Sequence, residues 1–280
     1  MYKKILVPTD FSKEANNALE TAAILANKES SEIILLNVIE DPYSPVFKSI
    51  GGISEDIMSN VFVIELKKKI RERLDQIVDE KIGEGLNIRS LIKIGHPYGS
   101  IAECIREVNA DLIILGSKGS SGLDEMLVGS TAENIVKYVK CPVITVKEKC
   151  DLTNIKSILY PTDLKEEQEE ALRDIKELQK AHNAHLHLVK VYDSDFVTKN
   201  EVETRMKKFA EYFELEDYSI EAIRHPDEAE AILGYAEKLD VSLIAMATHY
   251  RRGLEVLFNT RISKHVVNHA KRPIWTKRVS

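Results

Sequence analysis

The sequence is poor in the residues that specialised architectures require. Three cysteines in 280 residues, Cys104, Cys141 and Cys150, with no CxxC spacing, argue against a disulfide framework or a zinc knuckle and for a reducing compartment. Basic residues are also in short supply: 39 Lys and Arg stand against 45 Asp and Glu, and the net charge of −6 splits evenly between residues 1–150 and 151–280. Neither half has the clustered positive charge that neutralising nucleic-acid phosphates demands, so no nucleic-acid partner is expected. Long hydrophobic runs are missing near the start, where "MYKKILVPTDF" breaks its apolar stretch at Pro8. That stretch is too short for a signal-peptide core or a membrane span, which makes the cytoplasm, with no membrane partner, the expected location.

What remains, 44% hydrophobic and 30% charged residues with 12 Gly and 8 Pro, is the composition of a globular chain long enough for about two domains. The chain is written twice. "KKILVPTDFSKEANNAL" returns as "KSILYPTDLKEEQEEAL" from Lys156, and "ADLIILGSKGSSGLDEMLVGSTAENIVKYVKCPVITVK" returns without a gap as "VSLIAMATHYRRGLEVLFNTRISKHVVNHAKRPIWTKR". A repeat of this length is a duplicated domain rather than a solenoid. The expected domains are residues 1–148 and 154–280, joined by the polar link "KEKCDLTN".

Within the first copy, short fully apolar segments alternate with helical patterns. "KKILVP", "SEIILLNVI", "NIRSLIKIG", "ADLIILG" and "PVITV" read as strands. Ser12 is placed to cap a first helix whose Ala15, Ala18, Leu19, Ala22, Ala23 and Ala26 share a face, and Val61 to Glu84, Tyr98 to Val108 and Thr131 to Tyr138 are further helices. Residues 41–58, with two prolines and Gly51–Gly52, read as a surface insertion. Strands apolar along their whole length and separated by helices belong to parallel sheets covered on both faces. The fold class is therefore α/β, with two tandem doubly wound, Rossmann-like domains, each a five-stranded parallel sheet in the order 3-2-1-4-5. The second copy repeats the pattern with strands near 156–160, 184–191, 218–223, 241–246 and 273–277.

In that strand order the chain reverses between strands one and four, where open sheets of this kind bind ligands. Pro8, Thr9 and Asp10 end strand one there, facing Gly116, Ser117 and Gly119 after strand four. Gly116 and Gly119 permit a positive φ or a close ligand approach, while Gly129 and Ser130 open the next helix, whose free N–H groups favour an anion. The loop has neither GxxxxGK[ST] nor GxGxxG spacing. "KIGHPYG" follows strand three, away from the crevice, and His96 reads as a helix-entry residue.

The segments "ILVPTDFS", "ADLIILGSKG" and "GSTAENIVKYVKCPVITVK" resemble the universal stress protein family in its tandem two-domain form, over essentially the whole chain. The ATP-binding subset of that family carries GxxG, nine residues, then Gly-Ser or Gly-Thr, which Gly116, Gly119, Gly129 and Ser130 satisfy. The resemblance implies a cytoplasmic, ATP-binding stress-response protein, with AMP or ADP as alternative nucleotides and Mg2+ alongside. It implies Pro8, Thr9 and Asp10 at the nucleoside end, Val38 against adenine, and Leu115, Gly116, Ser117 and Gly119 along ribose and the first phosphates. Gly129, Ser130 and Thr131 would then hold the terminal phosphates. Whether Asp10 faces ribose, Mg2+ or neither is open at this level. The family pairs its fifth strands between domains, so the two copies are expected to form an internal pseudo-dimer, and a homodimer is left open.

The second copy keeps Pro161, Thr162 and Asp163 but carries Ala247 for Gly116, Tyr250 for Gly119, Thr260 for Gly129 and Arg261 for Ser130. It is expected to retain the fold as a degenerate partner without holding ATP in the family manner. His265 and His269, four apart on a helix, and His185 and His187, on one face of a strand, have metal-compatible spacing but no third ligand in sequence, and no metal site is assigned. Serine, histidine and aspartate are present without a GxSxG elbow. Cys104 and Cys141 read as structural thiols. No general base stands beside the terminal-phosphate position, so binding is expected, with at most slow hydrolysis. The rival readings are a nucleotide-independent interaction scaffold and a slow ATP hydrolase.

Overall fold

A computed structural model describes residues 2–40, 58–117, 130–249 and 261–279, without the side chains of 58–62, 130, 249, 261, 263, 264 and 268. The first half runs β1 (Lys4–Pro8), α1 (Lys13–Glu29), β2 (Glu32–Ile39), α2 (Met58–Gly83), β3 (Asn87–Ile94), α3 (Pro97–Val108), β4 (Leu112–Gly116), α4 (Ser130–Tyr138) and β5 (Val143–Val146). The second half runs β6 (Ser157–Pro161), a 3-10 turn (Glu166–Gln168), α5 (Glu169–His182), β7 (His185–Tyr192), α6 (Lys199–Tyr212), β8 (Tyr218–Arg224), α7 (Glu228–Lys238), β9 (Leu243–His249), α8 (Arg261–His269) and β10 (Ile274–Val279). The expected insertion lies almost wholly outside the described residues.

All ten strands join one sheet in the order β3-β2-β1-β4-β5-β10-β9-β6-β7-β8. Each half thus has its strands in the order 3-2-1-4-5, parallel throughout, and the halves meet where β5 and β10 pair antiparallel. The pairing sets Ile274 against Thr145, Trp275 against Ile144 and Thr276 against Val143. An apolar strand left as an edge would template association with another chain; here each half's fifth strand covers the other's. The strands alternate their side chains between two cores. Ile5, Val7, Ile33 and Leu35 face α1 and α2 in one, while Leu6, Ile34 and Leu36 face α3 and α4 in the other.

The junction is tied by side chains as well as by the ladder. Trp275 is fully buried and its Nε1 donates to the Tyr2 hydroxyl at 3.3 Å; burial pushes that phenol above its usual range. Arg278 donates to the Tyr138 carbonyl at 2.8 Å across the two halves. The link between the halves lies along α1. Asn17 Nδ2 donates to the Lys147 carbonyl at 2.8 Å and Thr21 Oγ1 accepts from the Cys150 N–H at 3.1 Å, while Leu152 and Ile155 are buried.

Candidate functional site

The turn that leaves β1 is specified residue by residue. Thr9 N–H donates to the Leu36 carbonyl at 2.8 Å and so extends the pairing with β2. Phe11 then takes φ 64°, a left-handed conformation that costs a bulky side chain roughly 1–2 kcal/mol. Two local bonds hold it: Phe11 N–H to Thr9 Oγ1 at 3.0 Å and Ser12 N–H to Asp10 Oδ1 at 2.9 Å. Ser12 caps α1 as expected, its Oγ accepting from Ala15 N–H at 3.2 Å. The same turn recurs in the second half, with Leu164 at φ 64°, its N–H on Thr162 Oγ1 at 2.9 Å, and Lys165 N–H on Asp163 Oδ1 at 3.3 Å.

At the carboxyl ends of β1 and β2 a cleft of about 530 Å³ opens toward α2, lined among others by Asp10, Phe11, Asn37, Val38, Leu66 and Arg73. Asp10 is exposed. The Arg73 guanidinium lies 4.3 Å above the centre of the Phe11 ring. Asn37 Nδ2 donates to the Thr9 carbonyl at 2.8 Å, and its buried Oδ1 has no partner among the described residues. Of the residues expected at the site, Pro8, Thr9, Asp10 and Val38 share this end of the sheet with Gly116, and Ser130 and Thr131 form the first turn of α4. Gly119 and Gly129 lie outside the described residues.

Three of these positions have a structural meaning that spacing alone hides. Gly116 has no positive φ; a Cβ there would stand 2.2 Å from the Glu14 carbonyl oxygen and 2.7 Å from Ala15 N. Its missing side chain makes room for the first turn of α1, and this answers for the glycine without any ligand. Leu115 is 5% exposed and packs into the core facing α3 and α4, leaving mainly its backbone for a ligand. Ser117 is 3% exposed, with its N–H on the Val146 carbonyl at 2.8 Å.

The matching turn after β6 carries polar side chains that the first half lacks. Gln168, the counterpart of Ala15, is buried, and its Oε1 accepts from Tyr160 Oη at 2.9 Å and Thr162 Oγ1 at 3.2 Å. Its amide donates to Asp163, whose carboxylate is also paired with Lys165 at 2.9 Å. Lys190 replaces Asn37, and burial lowers its pKa. Burial pushes the half-buried Glu228, in the first turn of α7, up to about 7; Lys190 pulls it down, while Asp163 and Asp227 raise it further. Tyr250 and the Arg261 side chain, the expected obstructions, lie outside the described residues. Gln168 and Lys190 were visible as replacements in the repeat, yet their residue types usually mark a solvated surface.

Of the other candidates, His96 stands at the entry of α3. The His265 and His269 rings stack at 4.1 Å, with His269 Nδ1 at 2.9 Å from the His265 carbonyl. Cys104 is buried, and burial raises its thiol pKa; burial pushes the Cys141 thiol up to about 12. Among the described residues no three His, Cys, Asp or Glu side chains converge as a metal site. Nor is any described helix long and apolar enough to cross a membrane.

A sequence model of the universal stress protein family matches residues 1–147 and again 154–278. A universal stress protein of Methanocaldococcus jannaschii is 34% identical over 160 residues, spanning 53% of this chain and 97% of the relative. One from Synechocystis is 30% identical over 151 residues, 52% of this chain and 98% of the relative. Among solved structures, a universal stress protein from Archaeoglobus fulgidus superposes with a TM-score of 0.77 over 98% of both chains at 20% identity, a likeness of fold.

Proposed function

The chain belongs to the universal stress protein family as two tandem copies, and from that premise we propose that the first copy binds ATP while the second is a nucleotide-free partner. The observation that carries this reading is the contrast between the two crevices. The first opens beside Asp10, Asn37 and Val38. In the second half the counterparts of Asp10 and Asn37 are Asp163, paired with Lys165 and the Gln168 amide, and Lys190.

The residues present fit a nucleotide. The cleft beside Val38 is bounded by Phe11 and Leu66, apolar surface suited to a base. Asn37 Oδ1, an acceptor without a partner among the described residues, stands beside it. The opening turn of α4, at Ser130 and Thr131, presents N–H groups and a helix dipole to phosphate oxygens. In this reading Pro8, Thr9, Asp10 and Val38 hold the nucleoside. The backbone of Leu115, Gly116, Ser117 and Gly119 follows the ribose and inner phosphates, and Gly129, Ser130 and Thr131 take the outer ones. Mg2+ is commonly held by one or two carboxylates plus phosphate oxygens, and Asp10 is the carboxylate of this turn. Bound there, the ion would neutralise phosphate charge.

Mass spectrometry of small molecules released from the purified, denatured protein tests the reading. About one ATP per chain is expected, and none from a Gly129→Arg variant that remains folded. Nucleotide retained undiminished by that variant, or no binding of added ATP by the wild-type chain, would overturn it.

A further inference from the structure

Away from the nucleotide crevice, β7 and β8 bring together a hydrogen-bonded chain of side chains that the family relationship does not account for. His185 Nδ1 lies 2.8 Å from Asp217 Oδ1, and His185 Nε2 lies 3.1 Å from Ser219 Oγ. His187 Nδ1 lies 2.9 Å from the same Ser219 Oγ. The register explains the meeting: His187 stands opposite Ser219 in the parallel ladder, and His185, two residues earlier on β7, shares its face.

The proton positions follow from the network. Ionised Asp217 can only accept, so His185 carries its proton on Nδ1 and presents a lone pair at Nε2. Ser219 has one proton to give, and it goes to that lone pair. His187 must then donate from Nδ1 to Ser219 Oγ. Burial and the neighbouring His185 hold the His187 pKa below its ordinary value, which favours the neutral ring this arrangement needs. A carboxylate orienting an imidazole whose far nitrogen accepts from a serine hydroxyl is the arrangement that activates a nucleophile.

We propose that Ser219 is an activated nucleophile that takes acyl groups from activated esters, with His185 as its general base and Asp217 as the positioning residue. Ser219 Oγ attacks the carbonyl carbon while its proton passes to His185 Nε2. The tetrahedral intermediate expels the alkoxide or phenolate, which leaves with the proton from His185, and an ester on Ser219 remains. Water, deprotonated by the same nitrogen, hydrolyses that ester and restores the serine. As Oγ becomes an acyl oxygen it is a weaker acceptor, and the His187 Nδ1–H turns to the more negative neighbouring oxyanion. One such donor is fewer than the paired backbone donors of efficient acyl-transfer enzymes, so turnover is slow; because an activated ester expels a better leaving group than the serine alkoxide, acylation outruns deacylation and the acyl form accumulates. Access is open: the His185 side chain is 36% exposed and Asp217 65%, and β8 is the last strand of the sheet.

The test is incubation of the full chain with p-nitrophenyl acetate, followed by peptide mapping and by timing of p-nitrophenolate release. One acetyl group on Ser219 is expected, preceded by a burst of about one phenolate per chain. Ser219→Ala abolishes both. His185→Gln and Asp217→Asn each slow the burst at least tenfold, and Asp217→Glu restores it in part, which a merely structural role for the carboxylate would not produce. Thermal unfolding checks that each variant is folded. Acetyl found on lysines or histidines but not on Ser219 of the wild-type chain would overturn the proposal. So would a burst unchanged in folded His185→Gln. The site is remote from the first crevice, so ATP retention is unaffected by either outcome.

Discussion

Tyr160 Oη donates to Gln168 Oε1 at 2.9 Å with both side chains buried, a bond with no counterpart in the first half, where the matching positions hold Val7 and Ala15. It ties the first turn of the helix after β6 to the strand itself. The helix start is rewound accordingly: α1 begins as an α-helix at Lys13, whereas the second half passes through the 3-10 turn Glu166–Gln168 before α5.

Gln168→Ala leaves the Tyr160 hydroxyl buried without that acceptor and Asp163 without its amide donor. An orphaned buried polar group costs about 1–3 kcal/mol. Urea unfolding should register a loss in that range. Added ATP should still bind at about one per chain, since the exchange opens space without supplying a phosphate cradle; a second bound nucleotide would contradict the account of the degenerate half.

Gly116 and Ala247, its counterpart, should both lose stability on Gly–Ala exchange, but Gly116 more. Gly116→Ala forces a Cβ to within 2.2 Å of the Glu14 carbonyl oxygen, an overpacking expected to cost about 1–3 kcal/mol and to displace the turn that carries Asp10. Ala247→Gly loses only a methyl group and gains chain entropy on unfolding, for roughly 0.5–1 kcal/mol. Equal losses in denaturant unfolding would show that Gly116 is not held to its identity by α1.

Glu228 makes stability depend on pH in the direction opposite to a paired carboxylate. Its pKa rises from 4.5 to about 7 in the folded protein, so the folded state binds the proton more tightly than the unfolded chain. Its contribution is complete below about pH 4.5 and is lost as pH rises through about 7. The groups facing it among the described residues are Lys190 on β7, Asp163 after β6 and Asp227 at the cap of α7. Glu228→Gln should flatten the stability profile between pH 5 and pH 7 and raise stability at pH 8, by the order of 1 kcal/mol after solvent screening. Parallel profiles for the two proteins would exclude the assignment.

The repeat made most of this architecture readable. "PTDF" and "PTDL" fold into the same left-handed turn, and Ser12 caps α1, because both features are local and are written in consecutive residues. Gly116 was harder, since its neighbour in space is Glu14, about a hundred positions away in the chain, and a glycine that admits a helix looks the same in sequence as one that admits a phosphate. His185 and His187 were legible as a same-face pair. Their joint partner Ser219 and the His185 ligand Asp217 depend on the β7–β8 register, which no spacing within one strand reveals.

The antiparallel seam between β5 and β10 points the strands of the two halves in contrary directions. The rim on which β1 and β2 finish is therefore the rim on which β7 and β8 start. Asp10 and Ser219 lie at strand ends of this one margin, separated by seven strand spacings, roughly 30–35 Å along the sheet. Gln168, beyond the carboxyl end of β6, lies at the opposite margin. The two halves of one sheet therefore put their strand-end switch points on different margins.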